Sequence, residues 1–307
     1  MRFLIVGAGA IGGYFGGRLV QKGEDVTFLV RTAKKVQLEA DGLMVKSVHG
    51  DFQTSVRTIT YGEGAKPFDC IIIAVKAYHL FQVMNDIEPY VGEHTLILPL
   101  LNGYDHFSIL QNRFGPEHVL GGLCYIETTL DSAGGIIQSS SFHSIVFGEW
   151  VGGESERTQL LLSHLDNAGF TVTLSSDIQR EVWQKYIFVA SLSGITTLMD
   201  SSVGPILASP EARAIYEQLL QEIVSLAEKA GMPVGPEMSA STLQKMGSVL
   251  PEFTSSMHRD MHKQLPLEAD HLHGALLALA LPGQGAYPVL ETVYARLKVY
   301  ESVNDKR

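Results

Sequence analysis

Cysteine is almost absent: Cys70 and Cys124 are the only two in 307 residues. Two distant thiols make no disulfide framework, so the chain reads as a protein of a reducing, cytoplasmic compartment. Cys70 falls within the run CIIIAV and reads as a small buried apolar residue. Positive charge is also short, with 23 Lys and Arg against 33 Asp and Glu and a formal net charge of −10. That balance argues against a nucleic-acid partner or an anionic membrane surface, since both favour a basic face. A local basic pocket for a phosphorylated cofactor is still compatible with it. No apolar run approaches the roughly 20 residues of a membrane span. The apolar N-terminus lacks the basic region and small-residue cleavage site of a signal peptide. Internal repeats, low-complexity tracts and long flexible linkers are missing too.

What is present is a chain 45% hydrophobic, long enough for two domains. In the first half, short β-rich runs alternate with helical stretches. RFLIVG (2–7), DVTFLVR (25–31), FDCIIIAVK (68–76) and HTLILPLLNG (94–103) read as strands, with helices over 10–22 and from residue 79. This alternation predicts βαβ units and a parallel sheet covered on both faces. Residues 118–130, 143–150 and 171–175 read as further strands, and 156–169 as a helix. From about residue 178 the texture becomes helical. Residues 177–199 form one long stretch, and 210–231 begin with proline and end with glycine. Segments near 236–247, 252–263, 266–280 and 286–301 also read as helices. The expected class is α/β: a Rossmann-type parallel-sheet domain over 1–177, then an all-helical domain over 178–307. The tight boundary predicts that the two pack with a cleft between them.

The chemistry begins at Gly7-Ala8-Gly9-Ala10-Ile11-Gly12, a G-x-G-x-x-G turn between a strand and a helix. The first glycine permits a tight turn, the second lets a pyrophosphate approach the backbone, and the third lets helix pack on strand. The helix N-terminus offers free N–H groups to the anion. Arg31 ends the second strand, 19 residues after Gly12, where an acidic residue would grip the 2′-hydroxyl of NAD. An arginine suits the 2′-phosphate of NADP(H), and Lys34 and Lys35 would add to its field. Ordinary solvated charge at a strand end is the competing reading. Lys76 and Asn102 follow the third and fourth strands, at the edge where open α/β sheets bind ligands.

In the helical half, Lys185 lies in EVWQKYIF among apolar and aromatic neighbours. A lysine buried there needs a partner or a purpose, and burial would suit it to proton donation. Ser256 and Asp260 share a helical face, and Glu268 opens the next helix after Pro266. His258 and His262, with His271 and His273 nearby, raise a metal alternative. The zinc-protease pattern is broken by Arg259, and histidines on a solvated face are the simpler reading, so no metal is expected.

These residues, in this order, resemble the ketopantoate reductase (2-dehydropantoate 2-reductase) family over essentially the whole chain. The likeness rests on GAGAIGGYFGGRL, Arg31 in FLVR, VKAY, LNG, EVWQK, and SSMHRD with Glu268 twelve residues after Ser256. It implies NADPH-dependent reduction of the 2-oxo group of ketopantoate, on the route to pantothenate and coenzyme A. By that resemblance Lys185 matches the general acid. Glu268 matches a carboxylate that organises the site beside it and contacts the cofactor ribose or the substrate. Asn102 matches the residue beside nicotinamide and substrate, and Ser256 a contact to the substrate carboxylate. Lys76 and Arg31 match cofactor contacts, and Glu127 falls where the family makes a backbone contact to the cofactor.

The departures fall on the substrate side. Where the family has asparagines four and eight residues after the catalytic lysine, this chain has Val189 and Ser193, and Phe253 replaces a third. An asparagine both donates and accepts; valine does neither, and serine reaches less far. The machinery for hydride and proton transfer is kept while the substrate grip is altered, which points also to a different, less polar 2-oxo acid. A non-catalytic NADP-binding sensor is a third reading, against which the retention of Lys185 and Glu268 speaks. Small-molecule substrate and cofactor are the expected partners, with a homodimer through the helical half as the candidate assembly.

Overall fold

The computed structural model describes residues 1–281 and 286–304. The chain divides into two compact units, Met1–Leu101 with His106–Gln179, and Asn102–Asp105 with Arg180–Arg307.

The first unit holds β1 (Arg2–Val6), α1 (Ala10–Lys22), β2 (Asp25–Leu29), α2 (Thr32–Asp41), β3 (Leu43–Ser47), β4 (Phe52–Thr54), β5 (Arg57–Ile59), β6 (Cys70–Ile73), α3 (Leu80–Ile87) and β7 (Leu96–Pro99). Then follow α4 (Asp105–Phe114), β8 (Gly121–Leu130), β9 (Ile136–Gly148), α5 (Glu156–Leu165) and β10 (Thr171–Leu174). One sheet has the order β5-β2-β1-β6-β7. Every pairing in it is parallel, with Ile5 of β1 registered on Phe28 and on Ile72. β1 is therefore central, and the strand order reverses beside it, where doubly wound sheets bind nucleotides. All four residues of β6 are buried, as a strand covered on both faces requires.

A second sheet was not foreseen from the residue pattern. β3, β4, β8, β9 and β10 form it, with β8 antiparallel to β9 and a register shift between Ile126 and Thr128. Residues 118–120 still pair in parallel with Ile97 of β7, but β8 and the strands expected at 143–150 and 171–175 leave the parallel sheet and build their own. Val45 pairs with Ile136, a partner far along the chain, so local periodicity gave no sign of it. Both sheets and α1 share one core, in which Phe3, Ile5, Phe15, Phe28, Ile72, Leu98, Ile145 and Phe147 are fully buried.

Among its described residues the second unit has helices as its only regular secondary structure, joined by turns. It contains most of α6 (Ile178–Met199), then α7 (Val203–Ala208), α8 (Pro210–Lys229), α9 (Met238–Ser248), α10 (Ser256–His262), α11 (Ala275–Leu277) and α12 (Pro288–Asn304). The segment expected to be one helix over 266–280 is instead a π-helical turn, Asp270–Gly274, running into α11. Its core gathers Trp183, Tyr186, Ile187, Ile195, Tyr216, Leu219, Ile223, Leu276 and Leu290. α6 is buried on most of its circumference, which is why its residues lack a single apolar stripe. The carboxylate of Glu222 on α8 accepts from the backbone N–H groups of Val289 and Leu290, capping the start of α12.

Candidate active site

The glycine turn has the geometry a dinucleotide needs, read from what a side chain would meet. Gly7 leaves β1 with φ +97°, and a Cβ there would lie 2.7 Å from the Ala74 carbonyl oxygen. A Cβ on Gly12 would lie 2.1 Å from the Gly7 carbonyl oxygen, so only glycine lets α1 sit this close to β1. Gly9 differs: a Cβ would meet nothing within 4 Å. Its lack of a side chain is not explained by packing and leaves open space in front of the turn. Gly9 caps α1 without a side-chain hydrogen bond, so the N–H groups of the first helical turn face that space. Ala8 is buried, while Ala10 and Ile11 are half-buried at its rim. These features fit the pyrophosphate of a dinucleotide.

Lys76 follows β6 by three residues and Arg31 follows β2 by two, both at the carboxyl edge of the parallel sheet. Arg31 is the N-cap residue of α2 rather than the last of a strand. Its guanidinium is exposed and makes no hydrogen bond or ion pair among the described residues. The two lysines expected to add to its field have partners of their own. Lys35 pairs with Glu63 at 2.6 Å, and Lys34 donates to Gln37 and to the Gly134 carbonyl. Burial, then the charge of Arg31, pushes the His79 imidazole below its usual range, so His79 lies within the arginine's field. Glu127 is half-buried on β8, and its backbone N–H donates to Ser140 Oγ. That N–H already has its partner.

In the helical unit Lys185 is only 9% exposed. Hydrogen bonds from its own helix tie its surroundings together. Tyr186 donates to the Leu272 carbonyl at 2.7 Å, and His273 Nε2–H donates to the Ala190 carbonyl at 2.9 Å. Both partners sit on the π-helical turn that begins just after Glu268, whose carbonyl accepts from Leu272 N–H. π-Turns inside helices concentrate at functional sites because they re-aim the residues around them. On the same turn His271 Nε2–H donates to the Asn102 carbonyl at 2.7 Å. Gly103 permits this approach: its φ is +92°, and a Cβ would lie 2.6 Å from His271 Nε2. Tyr104 then packs against Trp183 with the rings tilted by 44° and their centroids 4.7 Å apart. The backbone carrying Asn102 and Glu268 and the stretch of α6 around Lys185 are therefore all tied by hydrogen bonds to the same π-helical turn. Ser256 is half-buried at the start of α10, and its neighbour Ser255 contacts Thr196 of α6 at 2.9 Å.

Val189 and Ser193 follow Lys185 by one and two turns on α6. Val189 packs against the helical core, and Ser193 is 1% exposed with a hydroxyl that finds no partner among the described residues. Sequence reasoning missed Lys245 of α9. Its ammonium stands 4.6 Å over the Phe188 ring. Burial, then the charge of Lys185, pushes it down, while Glu181 opposes. No local motif marks it. His271 was assigned to a solvated cluster, but it serves Asn102. His258 and His273 are buried at 8% and 0% exposure, so that reading is corrected for both.

A parallel sheet with an open glycine turn at its switch point, joined to a helical unit carrying a buried lysine, defines an oxidoreductase of the dinucleotide-fold class. Comparison narrows the class. The ketopantoate reductase PanE/ApbA model matches residues 3–152, and the PanE/ApbA C-terminal model matches residues 177–301. This chain belongs to the ketopantoate reductase family. It is 44% identical to the uncharacterized oxidoreductase YkpB of Bacillus subtilis, over 98% of this chain and 99% of that one. The crystal structure of 2-dehydropantoate 2-reductase from Geobacter metallireducens GS-15 superimposes with TM-score 0.88 at 27% identity, covering 97% of this chain and 99% of the other. A ternary structure of D-mandelate dehydrogenase with NADH and anilino(oxo)acetate shares the fold, with TM-score 0.88 at 22% identity and 99% and 100% coverage.

Proposed function

We propose that this protein is an NADPH-dependent 2-oxoacid reductase that converts 2-dehydropantoate to pantoate, feeding pantothenate and coenzyme A synthesis. The observation that carries the reading is the buried Lys185, on the stretch of α6 tied to the same π-helical turn as the backbone of Glu268 and Asn102. In this reading residues 1–177 serve as the NADP-binding domain and 178–307 as the catalytic one. Bound NADPH supplies a hydride to the carbonyl carbon. Negative charge then grows on the carbonyl oxygen, and Lys185 Nζ donates the proton that neutralises it. Glu268 orients that ammonium and holds polar groups of cofactor or substrate. Asn102 aligns the reacting carbonyl, and Ser256 binds the substrate carboxylate. Lys76 and Arg31 hold the cofactor, with Arg31 reading the 2′-phosphate; its unengaged guanidinium supports this.

A second reading keeps the chemistry and changes the oxo acid. Val189 offers no hydrogen bond where the family places an asparagine, and the unpartnered Ser193 hydroxyl offers one of shorter reach. A site made less polar favours a 2-oxo acid with an apolar or aromatic side chain, and the shared fold of D-mandelate dehydrogenase is in keeping with this. The deciding experiment is NADPH oxidation against a panel of 2-oxo acids including ketopantoate and arylglyoxylates. Highest kcat/KM with ketopantoate supports the first reading, and an arylglyoxylate preference supports the second. Turnover of none of the panel overturns both and favours a sensor. Lys185→Ala should abolish turnover while NADPH binding is kept; unchanged kcat removes Lys185 from the mechanism.

A further inference from the structure

The helical unit holds a second cluster of chemistry-bearing side chains that the proposed reaction does not use. Asp200 Oδ1 lies 2.9 Å from His258 Nε2 and 2.7 Å from His262 Nε2, and the two nitrogens are 3.0 Å apart. We propose that Asp200, His258 and His262 form a binding site for one divalent first-row transition cation, Zn2+ being the best fit.

Three independent observations lead there. The first is spacing. A tetrahedral cation holding N and O donors at about 2.0–2.1 Å sets them about 3.3–3.4 Å from one another. The triangle found here, 2.7–3.0 Å on a side, is a few tenths of an ångström tighter and opens to that size by small side-chain rotations, and the donor set of two imidazoles and one carboxylate suits zinc and its neighbours over magnesium or calcium. The second is proton accounting. Two imidazole N–H groups can both point at one carboxylate oxygen, but their nitrogens then face each other at 3.0 Å with like partial charge. One cation in place of both protons removes that conflict, since all three atoms then present lone pairs. His258 Nδ1 is 2.6 Å from Thr254 Oγ1, which can accept its N–H and fix the tautomer that leaves Nε2 open to a metal. The third is backbone conformation. Asp200 stands immediately after α6 with φ +49°, a left-handed position that glycine occupies at lower cost. Strain kept at a residue whose carboxylate meets two histidines points to a use for that carboxylate.

The i, i+4 spacing of His258 and His262 puts both rings on one face of α10, and Asp200 brings the end of α6 to them. The remaining coordination positions open toward a cavity of about 400 Å³ lined in part by Asp200, His262, Gln264, Arg296 and Tyr300. Water or a small anion balanced by Arg296 completes the shell. The site lies fifteen residues beyond Lys185, about 22 Å along the helix, so its role is to clip α6 to α10 rather than to take part in hydride or proton transfer. His271 and His273 stay outside it, engaged with the Asn102 and Ala190 carbonyls.

The test uses the tag-free full chain, stripped with chelator and titrated with Zn2+ against a chromophoric competitor. One ion per chain should bind tightly. His262→Ala removes a largely solvated ring, and Asp200→Gly relieves the backbone, so both variants should fold. Each should weaken Zn2+ binding by at least about 100-fold. Thr254→Val should weaken it by about 10-fold. Zn2+ should raise the melting temperature of the full chain and leave His262→Ala unmoved. Failure of the wild-type chain to bind more tightly than His262→Ala and Asp200→Gly overturns the proposal. Binding that persists undiminished in both overturns it equally, by placing the ion at other histidines. Neither result bears on the reductase reading, which rests on separate residues.

Discussion

Gly9 and Gly12 belong to one motif, yet the structure makes them fail in opposite ways. A Cβ on Gly12 would sit 2.1 Å from the Gly7 carbonyl oxygen and 3.1 Å from the Ala74 Cβ. Backbone is the obstacle, so Gly12→Ala must push α1 off the sheet. Overpacking of this kind costs about 1–3 kcal/mol or more. A Cβ on Gly9 meets nothing within 4 Å, and its φ of −86° is open to alanine. Gly9→Ala should therefore cost at most about 1 kcal/mol, through a poorer helix cap. That is a melting shift of at most about 2 °C for a chain of this size. Its effect on dinucleotide binding should be larger. A methyl in front of the first turn of α1 displaces a pyrophosphate oxygen from at least one backbone N–H. A hydrogen bond to a charged group is worth about 1.5–3 kcal/mol, or roughly 10- to 150-fold in affinity. Thermal melts and NADPH titration by fluorescence on the two variants separate the effects. Gly9→Ala that binds NADPH like wild type would falsify the placement of the pyrophosphate on this turn. Gly12→Ala with wild-type stability would show that the close approach of α1 to β1 is tolerant after all.

Arg31→Ala should erode the preference for NADPH over NADH through the NADPH KM, and an unchanged ratio removes Arg31 from cofactor reading. Lys245→Met takes a like charge from beside Lys185, so the alkaline limb of the kcat profile should move to higher pH; an unmoved limb separates the two lysines. Burial lowers the fully buried His273 to about 4, against an ordinary value of 6.5. Between those values the unfolded chain binds more protons than the folded one, so stability is full above about pH 6.5 and is lost as pH falls toward 4. This group alone should make the fold about 2 kcal/mol weaker at pH 5 than at pH 7. Urea melts of His273→Gln, which keeps a donor for the Ala190 carbonyl, should show a shallower dependence, and an identical slope assigns the effect to other groups.

The parts of the site that announce themselves in the sequence are those whose chemistry is local. A strand, a glycine turn and a helix follow one another within 22 residues, so the strand–turn–helix unit was readable from the glycine spacing together with its flanking pattern. Lys76 and Asn102 were readable because topology places whatever follows a parallel strand at the ligand edge. Lys185 stood out because a cation in an aromatic neighbourhood needs a reason. What was illegible depends on distant partners. β3 and β4 are short and half-buried, and β3 finds β9 across most of the first unit. The second sheet therefore had no local signature. Lys245 reaches Phe188 from another helix, and His271 reaches Asn102 across 169 positions. The solvated-face reading of the histidines failed for the same reason: His273 and His258 owe their burial to packing that no helical period encodes.

The four residues Asn102–Asp105 group with the helical unit, whereas the chain on either side groups with the sheet unit. The backbone therefore passes from one unit to the other three times, at 101/102, 105/106 and 179/180, rather than once. The chain is not two beads on a string. A truncation at residue 179 would leave Asn102 without His271 and Tyr104 without Trp183. It would also expose an aromatic ring on a loop that has lost its seat. The two halves are matched by separate family models, yet they cannot be cut, swapped or recombined as independent modules without repairing that loop. Fusion or domain-shuffling designs on this scaffold should carry residues 102–105 with the helical half.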